Sequence, residues 1–291
     1  MEFGLSTCIL YGQPLQDALP TLAGHGVRTV EYAAFNLVMS SRRAAVRDQY
    51  LRTREAWSLR ADDIPTSQIL DVSNSWGIRV LQLHSPVYTL ASPNPKERRR
   101  SIEKTEMILE LCSKLGAPVL VVHAIWPPPT KEPCRSTLDR SIDSIRILAR
   151  RASDLGVKVA VENGWRNPCG SRAGDLVRVV DETDADHVCI CLDTGHSQRS
   201  GTPPPCMARA LGHRLGATHV HDFDGDRDHL PPFAGRISWH GFAAALSEAA
   251  YLGPIIGEID GQHVGVQRSV RAMRRLVQLF EAGRNTFGAD G

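Results

Sequence analysis

The run Cys191-Leu192-Asp193-Thr194-Gly195-His196 closes an apolar stretch that begins after His187. The apolar residues have the composition of a buried parallel strand, which is covered on both faces. The strand ends on a carboxylate, a glycine breaks it, and an imidazole follows. Asp193 and His196 are three residues apart across this turn, so both can point at one divalent metal ion. The run therefore predicts a buried strand whose carboxyl end carries a polar site.

Other short apolar runs of the chain end in the same way. Glycine-containing turns precede them, and each run leads into histidine or carboxylate residues. Residues 80–83 lead into His84, 119–122 into His123, 157–161 into Glu162, 217–218 into His219-Val220-His221-Asp222, and 255–257 into Glu258. A single polar residue at a strand end is ordinary, whereas several at successive strand ends predict one shared site.

The apolar runs alternate with longer segments of helical periodicity. Strands are predicted near 3–9, 27–32, 78–84, 117–123, 157–162, 187–193, 217–221 and 254–259. Eight strand–helix units without a break in composition favour an α/β fold, a (β/α)8 TIM barrel forming a single domain over residues 1–291. The alternative is a doubly wound open sheet, which lacks a G-x-G-x-x-G run after any strand. In a barrel, active sites lie at the carboxyl ends of the strands, where these polar residues fall.

Composition limits the class of protein. The chain has 291 residues, 42% of them hydrophobic and 23% charged, and its net charge of +2 does not imply a strong field for polyanions. No apolar run approaches the roughly 20 residues that span a bilayer. Seven irregularly spaced cysteines and a first segment unlike a signal peptide indicate reduced thiols and a cytoplasmic protein.

Two loops are unusually long. Residues 36–64 are rich in arginine and are predicted to insert an extra helix, as a lid, as a contact within a homo-oligomer, or as a merely solvated basic helix. Residues 222–237 are too rich in polar residues, proline and glycine to form a helix. Because this second segment follows a strand with two histidines, we expect it to be an active-site loop.

The strand ends also predict metal chemistry. Glu162, Asp193, His219 and Glu258 close strands five to eight, which are neighbours around a barrel mouth. An oxygen-rich set with one imidazole suits Mn²⁺, Mg²⁺ or Co²⁺ better than a structural, cysteine-rich zinc site. Manganese is our expectation, and Mg²⁺, Co²⁺ and Zn²⁺ are the alternatives. His221 and Asp222 are predicted to contact these ligands or the substrate. Cys189 and Cys191 are expected to be small apolar filler inside the barrel.

The motifs together resemble a known family. Glu162, the run 191–196, the segment 219–222, the run His229-Leu230-Pro231-Pro232 and Glu258 are similar to the xylose-isomerase-like TIM-barrel superfamily. That group contains sugar phosphate isomerases/epimerases, ketose 3-epimerases, inosose dehydratases, hydroxypyruvate isomerases and metal-dependent abasic-site endonucleases. The resemblance implies that Glu162, Asp193, His219 and Glu258 bind one divalent cation, that the two glutamates move a proton, and that His196 contacts substrate.

One segment departs from the family pattern. Many relatives carry a Gly-Glu-Gly-like sequence where this chain has Phe233-Ala234-Gly235, so the acidic residue is absent. The position of the family's aspartate near His229 is also open, because Asp226 and Asp228 both qualify.

We therefore predict a metal-dependent isomerase or epimerase of a sugar, keto sugar or cyclitol-like molecule. Glu162 and Glu258 act as base and acid in proton transfer next to a carbonyl. Substrate contacts are expected from His84, His123, His196, His221, His229, Arg227, Trp126 and Trp165. The alternatives are a metal-dependent lyase or dehydratase, and a phosphodiester hydrolase of the abasic-site endonuclease type. The histidines and carboxylates match the endonuclease set by type and order, but the modest net charge disfavours a nucleic acid.

Overall fold

The computed structural model describes residues 3–53, 56–125, 133–165, 169–183 and 186–287. Eight parallel strands close into a barrel in sequence order, and β1 pairs with β8. The strands are β1 Phe3–Ser6, β2 Thr29–Tyr32, β3 Arg79–His84, β4 Val119–Val122, β5 Lys158–Glu162, β6 Val188–Asp193, β7 Leu215–Val220 and β8 Ile255–Gly257. The predicted (β/α)8 barrel is confirmed.

Helices connect the strands around the outside of the barrel. Within the described residues they are α1 Leu15–Gly24, α2 Ala34–Met39, α3 Ala44–Thr53, α4 Thr66–Ser75, α5 Pro95–Lys114, α6 Cys134–Leu155, α7 Ala173–Asp181, α8 Thr194–Arg199, α9 Pro204–Leu211, α10 Trp239–Glu248, α11 Gly261–Val264 and α12 Val266–Phe287. Short 3-10 turns lie at Thr7–Leu10, Ala61–Asp63 and Gly212–Arg214.

Local sequence signals account for the ends of the long helices. Asn94 caps α5 by accepting hydrogen bonds from the first-turn amides, and Pro95 follows at the first helical position, where its missing N–H costs nothing. α6 ends at Gly156, whose φ of 65° is the left-handed conformation that glycine adopts readily. The buried side chains of α6, including Leu138, Ile142 and Ile145, recur at helical spacing and pack against the sheet.

The barrel interior has a small apolar layer below the polar residues. Val121, Ala160, Cys189, Cys191 and Ala217 form a buried cluster of their own. Small side chains fit there because the strands converge on a narrow interior. The filler role predicted for the two cysteines agrees with this placement. Two positions beyond Val121, Ala160, Cys191 and Ala217, the chain has the polar residues His123, Glu162, Asp193 and His219, which lie at the mouth.

The two long loops differ in structure. The segment 36–64 contains the predicted extra helix, α3, but its function as a lid or subunit contact stays a prediction. The segment 222–237 has no helix, and an antiparallel bridge between Asp222 and Leu230 connects two parts of it. The first strand is also shorter than predicted, because the chain turns into a 3-10 helix at Thr7.

The expectation of seven reduced thiols is wrong for one pair. Cys134, at the start of α6, and Cys169, in the loop after β5, form a disulfide with a Cα–Cα distance of 5.3 Å. The loops after adjacent strands of a barrel lie side by side, which brings these residues together although 35 positions separate them. The other five cysteines are free. Among the described helices, none has the length and apolar character needed to cross a membrane.

Candidate metal centre and active site

The predicted metal ligands converge at the carboxyl ends of β5 to β8. One donor atom from each of Glu162, Asp193, His219 and Glu258 can be chosen so that all four lie within 4.8 Å of one another. His219 Nδ1 is 3.2 Å from Glu162 Oε1, 3.3 Å from Glu258 Oε2 and 4.0 Å from Asp193 Oδ2. Three carboxylates thus surround one imidazole nitrogen in a buried pocket.

Two residues for which the sequence predicted no role contact the other side of the His219 ring. Glu31 Oε2 lies 2.7 Å from His219 Nε2, and Gln82 Nε2 donates a hydrogen bond of 2.7 Å to the same oxygen. All three side chains are fully buried. A proton held on Nε2 by Glu31 leaves Nδ1 free to ligate a metal ion. The sequence signal that could have identified these two residues is the alternation of side chains along a strand, because Glu31 on β2 and Gln82 on β3 both face the interior.

Glu31→Gln is expected to weaken Mn²⁺ binding by about 10–100-fold, the usual cost of losing a carboxylate that orients a ligating histidine. Isothermal titration of Mn²⁺ measures the change, and the thermal melt of the metal-free variant verifies its fold. Glu248→Gln is the matched control, since Glu248 pairs with Arg209 on the surface, away from the site. An unchanged Mn²⁺ affinity in Glu31→Gln would show that Glu31 does not position His219.

Glu162 contacts several histidines of the site. His84 Nε2 lies 3.1 Å and His123 Nε2 3.2 Å from its Oε2, while His196 Nδ1 lies 3.3 Å from its Oε1. Burial acts to raise the pKa of Glu162, but the surrounding imidazoles, His123 and His219 foremost, hold it well below its usual range. The carboxylate is therefore ionised, and His84, His123 and Glu162 form a second group of donor atoms that could hold a metal ion.

The histidines of this second group differ in protonation. Burial opposes a charge on His84, yet its hydrogen bond to Glu162 raises its pKa to about 9. Burial dominates at His123 and lowers its pKa to about 4. A neutral His123 can donate one hydrogen bond and accept another, or ligate a cation through its unprotonated nitrogen.

A third group, His196, His221 and His229, lies beside the first. His221 Nε2 is 2.9 Å from Asp193 Oδ2, and its Nδ1 is 3.1 Å from Asp228 Oδ1. His229 stacks on His221 with ring centroids 4.2 Å apart. Of the two aspartates left open by the sequence, Asp228 is thus the one that contacts the site.

The remaining residues that were predicted to contact substrate lie in different places. Trp165 stacks on His196 with ring centroids 4.2 Å apart, so it lies at the mouth. Arg227 lies on the rim, with a side chain 71% exposed and paired with Asp224. Trp126 falls outside the described residues. The expectation that Asp222 contacts ligands or substrate is wrong, because its carboxylate accepts hydrogen bonds from Trp239 Nε1 and from the backbone amides of Phe223 and Ile237, and so fixes the loop.

The surroundings of Gly195 explain why the run 191–196 contains a glycine. A Cβ built on it would collide with the His221 ring and lie 2.6 Å from Asp228 Oδ1. The absence of a side chain lets α8 pack directly on the His221–Asp228 pair. Asp193 caps the same helix by accepting a 2.7 Å hydrogen bond from the His196 amide. Asp193, Gly195 and His196 of this run therefore all shape the site.

Gly195→Ala is expected to destabilise the fold by roughly 1–3 kcal/mol, since an added methyl group must displace packed atoms. Chemical denaturation measures this loss. Gly174→Ala is the matched control, because nothing lies within 4 Å of the Cβ that it would add on α7. Equal stability of the two variants would mean that His221 and Asp228 can move apart freely.

The donor chemistry fits a divalent ion. The first group offers three carboxylates and one nitrogen, with its histidine oriented from behind by Glu31. Burial raises the pKa of Glu258 against the opposing charge of His219, and repulsion from the Glu162 carboxylate raises it further. A bound cation would remove that repulsion and displace the protons.

A family model for the xylose isomerase-like TIM barrel matches residues 23–276. The chain therefore belongs to that family, as its barrel topology and strand-end residues indicated.

Curated relatives and solved structures agree with this assignment. The chain is 26% identical to a D-psicose 3-epimerase of Agrobacterium fabrum over 175 residues, which cover 56% of this chain and 59% of the relative. It is 30% identical to a probable endonuclease 4 of Thermoplasma acidophilum over 129 residues, or 43% of each protein. The matches thus span only about half of these relatives. The fold is also similar to that of the IolI protein with a bound zinc atom, with a TM-score of 0.76 at 17% identity, covering 97% of this chain and 99% of the other.

Proposed function

We propose that this protein is a divalent-metal-dependent isomerase or epimerase of a ketose, keto sugar or cyclitol-like molecule. One observation carries the proposal: Glu162 Oε1 and Glu258 Oε2 lie 3.2 and 3.3 Å from the same nitrogen of His219. The glutamates come from β5 and β8, which are separated by two strands of the barrel. Two carboxylates that meet over one point from different sides suit the removal and return of a proton. The similarity to a D-psicose 3-epimerase supports the same chemistry.

The proton moves between the substrate and the two glutamates. One glutamate takes the proton from the carbon next to the carbonyl, and either it or its partner delivers a proton to that carbon or its neighbour. Return to the same carbon from the opposite face gives epimerisation, whereas return to the adjacent carbon gives isomerisation. The histidines at the mouth hold substrate hydroxyls, and Trp165, stacked on His196, covers that side of the site.

Glu162, Asp193, His219 and Glu258 would hold the metal ion, with Mn²⁺ as the proposed occupant. A divalent ion there would polarise the carbonyl oxygen as a Lewis acid and so ease removal of the adjacent proton. Glu31 keeps the proton of His219 on Nε2, and Asn163 fixes Asp193 by accepting a hydrogen bond from its amide at 2.8 Å. These contacts hold the ligands ready for the ion.

A panel of free ketoses, keto sugars and inososes, assayed with Mn²⁺-loaded protein, tests this proposal. Conversion of at least one to its epimer or isomer is expected. No conversion of any of them, together with hydrolysis of another substrate, would overturn it.

A second candidate is phosphodiester hydrolysis. Four groups of side chains that could hold a metal ion adjoin one another at the mouth, the fourth being His84, His219 and Glu258, and Glu162 belongs to two of them. The chain is also similar to a probable endonuclease 4. Burial lowers the pKa of His229 as well as that of His123 to about 4, so both are neutral and suited to ligation. Elemental analysis separates the candidates: one tightly bound ion per chain is expected for the isomerase, and three ions with cleavage of abasic DNA would favour the hydrolase.

A further inference from the structure

Two clefts adjoin at the mouth between the loops after β7 and β8. The inner cleft, about 440 Å³, is lined by Glu258, His229 and Cys8 among others, so it opens onto the candidate metal centre. The outer cleft, about 420 Å³, shares Asp228, His229 and Asp260 with it. A substrate with its reacting carbon near Glu258 would therefore extend into the outer cleft.

The outer cleft is lined by Arg227, His263 and Arg268. The carboxylates on its wall already have partners. Asp228 bonds to His221 and to Arg199, and Asp260 bonds to His263 at 2.7 Å. Arg227 pairs with Asp224 and His263 with Asp260, whereas Arg268 makes no ion pair within the described part of the chain, so its guanidinium is available to an incoming anion.

Beyond Arg268 the cationic surface continues along α12. A neighbouring groove of about 380 Å³ is lined by Arg268, Arg271 and Arg275, and no carboxylate is among its described lining residues. These arginines lie three and four residues apart, on one face of the helix and over roughly 10 Å. The Arg275 guanidinium lies 4.1 Å from the centre of the Phe233 ring, which joins the helix to the loop after β7.

The loop that faces these arginines is strained. His229 and Phe233 have φ of 54° and 70°, values that residues with a side chain seldom adopt. Strain of this kind concentrates at ligand-binding segments. The His229 carbonyl accepts a 2.9 Å hydrogen bond from the Asp260 amide, so the two loops form one wall.

We propose that the outer cleft binds an anionic group, a phosphate ester or a carboxylate, on the end of the substrate remote from the reacting carbon. Guanidinium groups recognise both anions through paired hydrogen bonds, whereas neutral hydroxyls need no such charge. The loops after strands 7 and 8 are also where barrels commonly place a phosphate. The identity of the molecule that carries the anion rests on the proposed function, but the cleft's affinity for the anion does not.

The first test measures binding of inorganic phosphate to Mn²⁺-loaded protein by calorimetry. Arg268→Gln is expected to weaken binding about tenfold or more, as loss of a charge-assisted contact does. Arg99→Gln, which removes an exposed arginine on α5, is the matched control and should bind phosphate like the native protein. Any contribution of the metal ion is common to all three proteins. Equal affinities in the two variants would overturn the proposal.

The second test compares kcat/KM for a neutral ketose, its phosphate ester and a keto-sugar acid. We expect an anionic substrate to be preferred, with the preference falling about tenfold or more in Arg268→Gln but not in Arg99→Gln. The anionic substrate with the higher kcat/KM shows whether the cleft binds a phosphate ester or a carboxylate. A preference for the neutral ketose in all three proteins would overturn the proposal and leave the isomerase intact. If no sugar reacts, the proposed function fails, and the phosphate-binding measurement alone tests whether the outer cleft binds an anion. Tight binding of an abasic oligonucleotide through Arg268, without binding of sugar phosphates, would also overturn the proposal.

Discussion

Turnover of a ketose is expected to fall by a factor on the order of 10² or more when Glu258 is replaced by glutamine, the usual cost of losing a general acid–base group. The amide keeps the size of the side chain and an oxygen that can face the metal ion, but it cannot carry the proton. Glu162→Gln should have the same effect on kcat. Because Glu162 also contacts His84, His123 and His196, this second variant should lose more of its metal affinity.

The control for both variants is Glu248→Gln, which removes a carboxylate from the exposed pair with Arg209 and should keep native turnover. Steady-state kinetics and metal analysis are needed together, so that loss of the ion is separated from loss of the proton carrier. Near-native turnover of Glu258→Gln with full metal content would contradict the two-glutamate mechanism.

Removal of the divalent ion by a chelator is expected to abolish turnover and lower the melting temperature. An ion that binds only the folded site would add its binding free energy to stability, by about 2.7 kcal/mol when the free ion is at 100 times its Kd. Readdition of Mn²⁺ should restore both properties. Full activity in chelated protein with no detectable metal would contradict the assignment of the site.

The effect of the ion should grow with pH. Burial disfavours charge on His219, but the surrounding carboxylates raise its pKa well above the ordinary value, and the pKa of Glu258 is raised as well. The ion needs an ionised Glu258 and an unprotonated Nδ1 on His219, so protons compete with it and metal affinity falls as the pH falls. Calorimetric titrations of Mn²⁺ at several pH values measure this trend, and an affinity that rises on acidification would contradict it.

The barrel could be predicted because each strand is a short apolar run that ends on a polar residue. Glu162, Asp193, His219 and Glu258 could be grouped for the same reason, since the carboxyl ends of parallel strands share one face of the fold. Periodicity fixes which side of a strand a residue faces, so His221 could be expected beside His219. The structure places it there, bonded to Asp193.

What the sequence left undecided depends on contacts between distant loops. Glu31 and Gln82 occupy inward-facing positions of β2 and β3, but only the closed barrel brings Glu31 to His219, 188 positions away. Asp222 follows the two histidines and resembles a site residue, yet its neighbours Trp239 and Ile237 draw its carboxylate into the loop. The Cys134–Cys169 disulfide likewise depends on two adjacent loops, which composition does not report.

Incorporation of solvent deuterium into the substrate tests proton transfer at this site most directly. Mn²⁺-loaded protein in D2O, incubated with the ketose that it converts, should place deuterium on the carbon next to the carbonyl, as nuclear magnetic resonance detects. The label should be lost in Glu258→Gln and retained in Glu248→Gln. No exchange at that carbon in any ketose, combined with metal-dependent cleavage of an abasic oligonucleotide, would contradict the account and establish the hydrolase in its place.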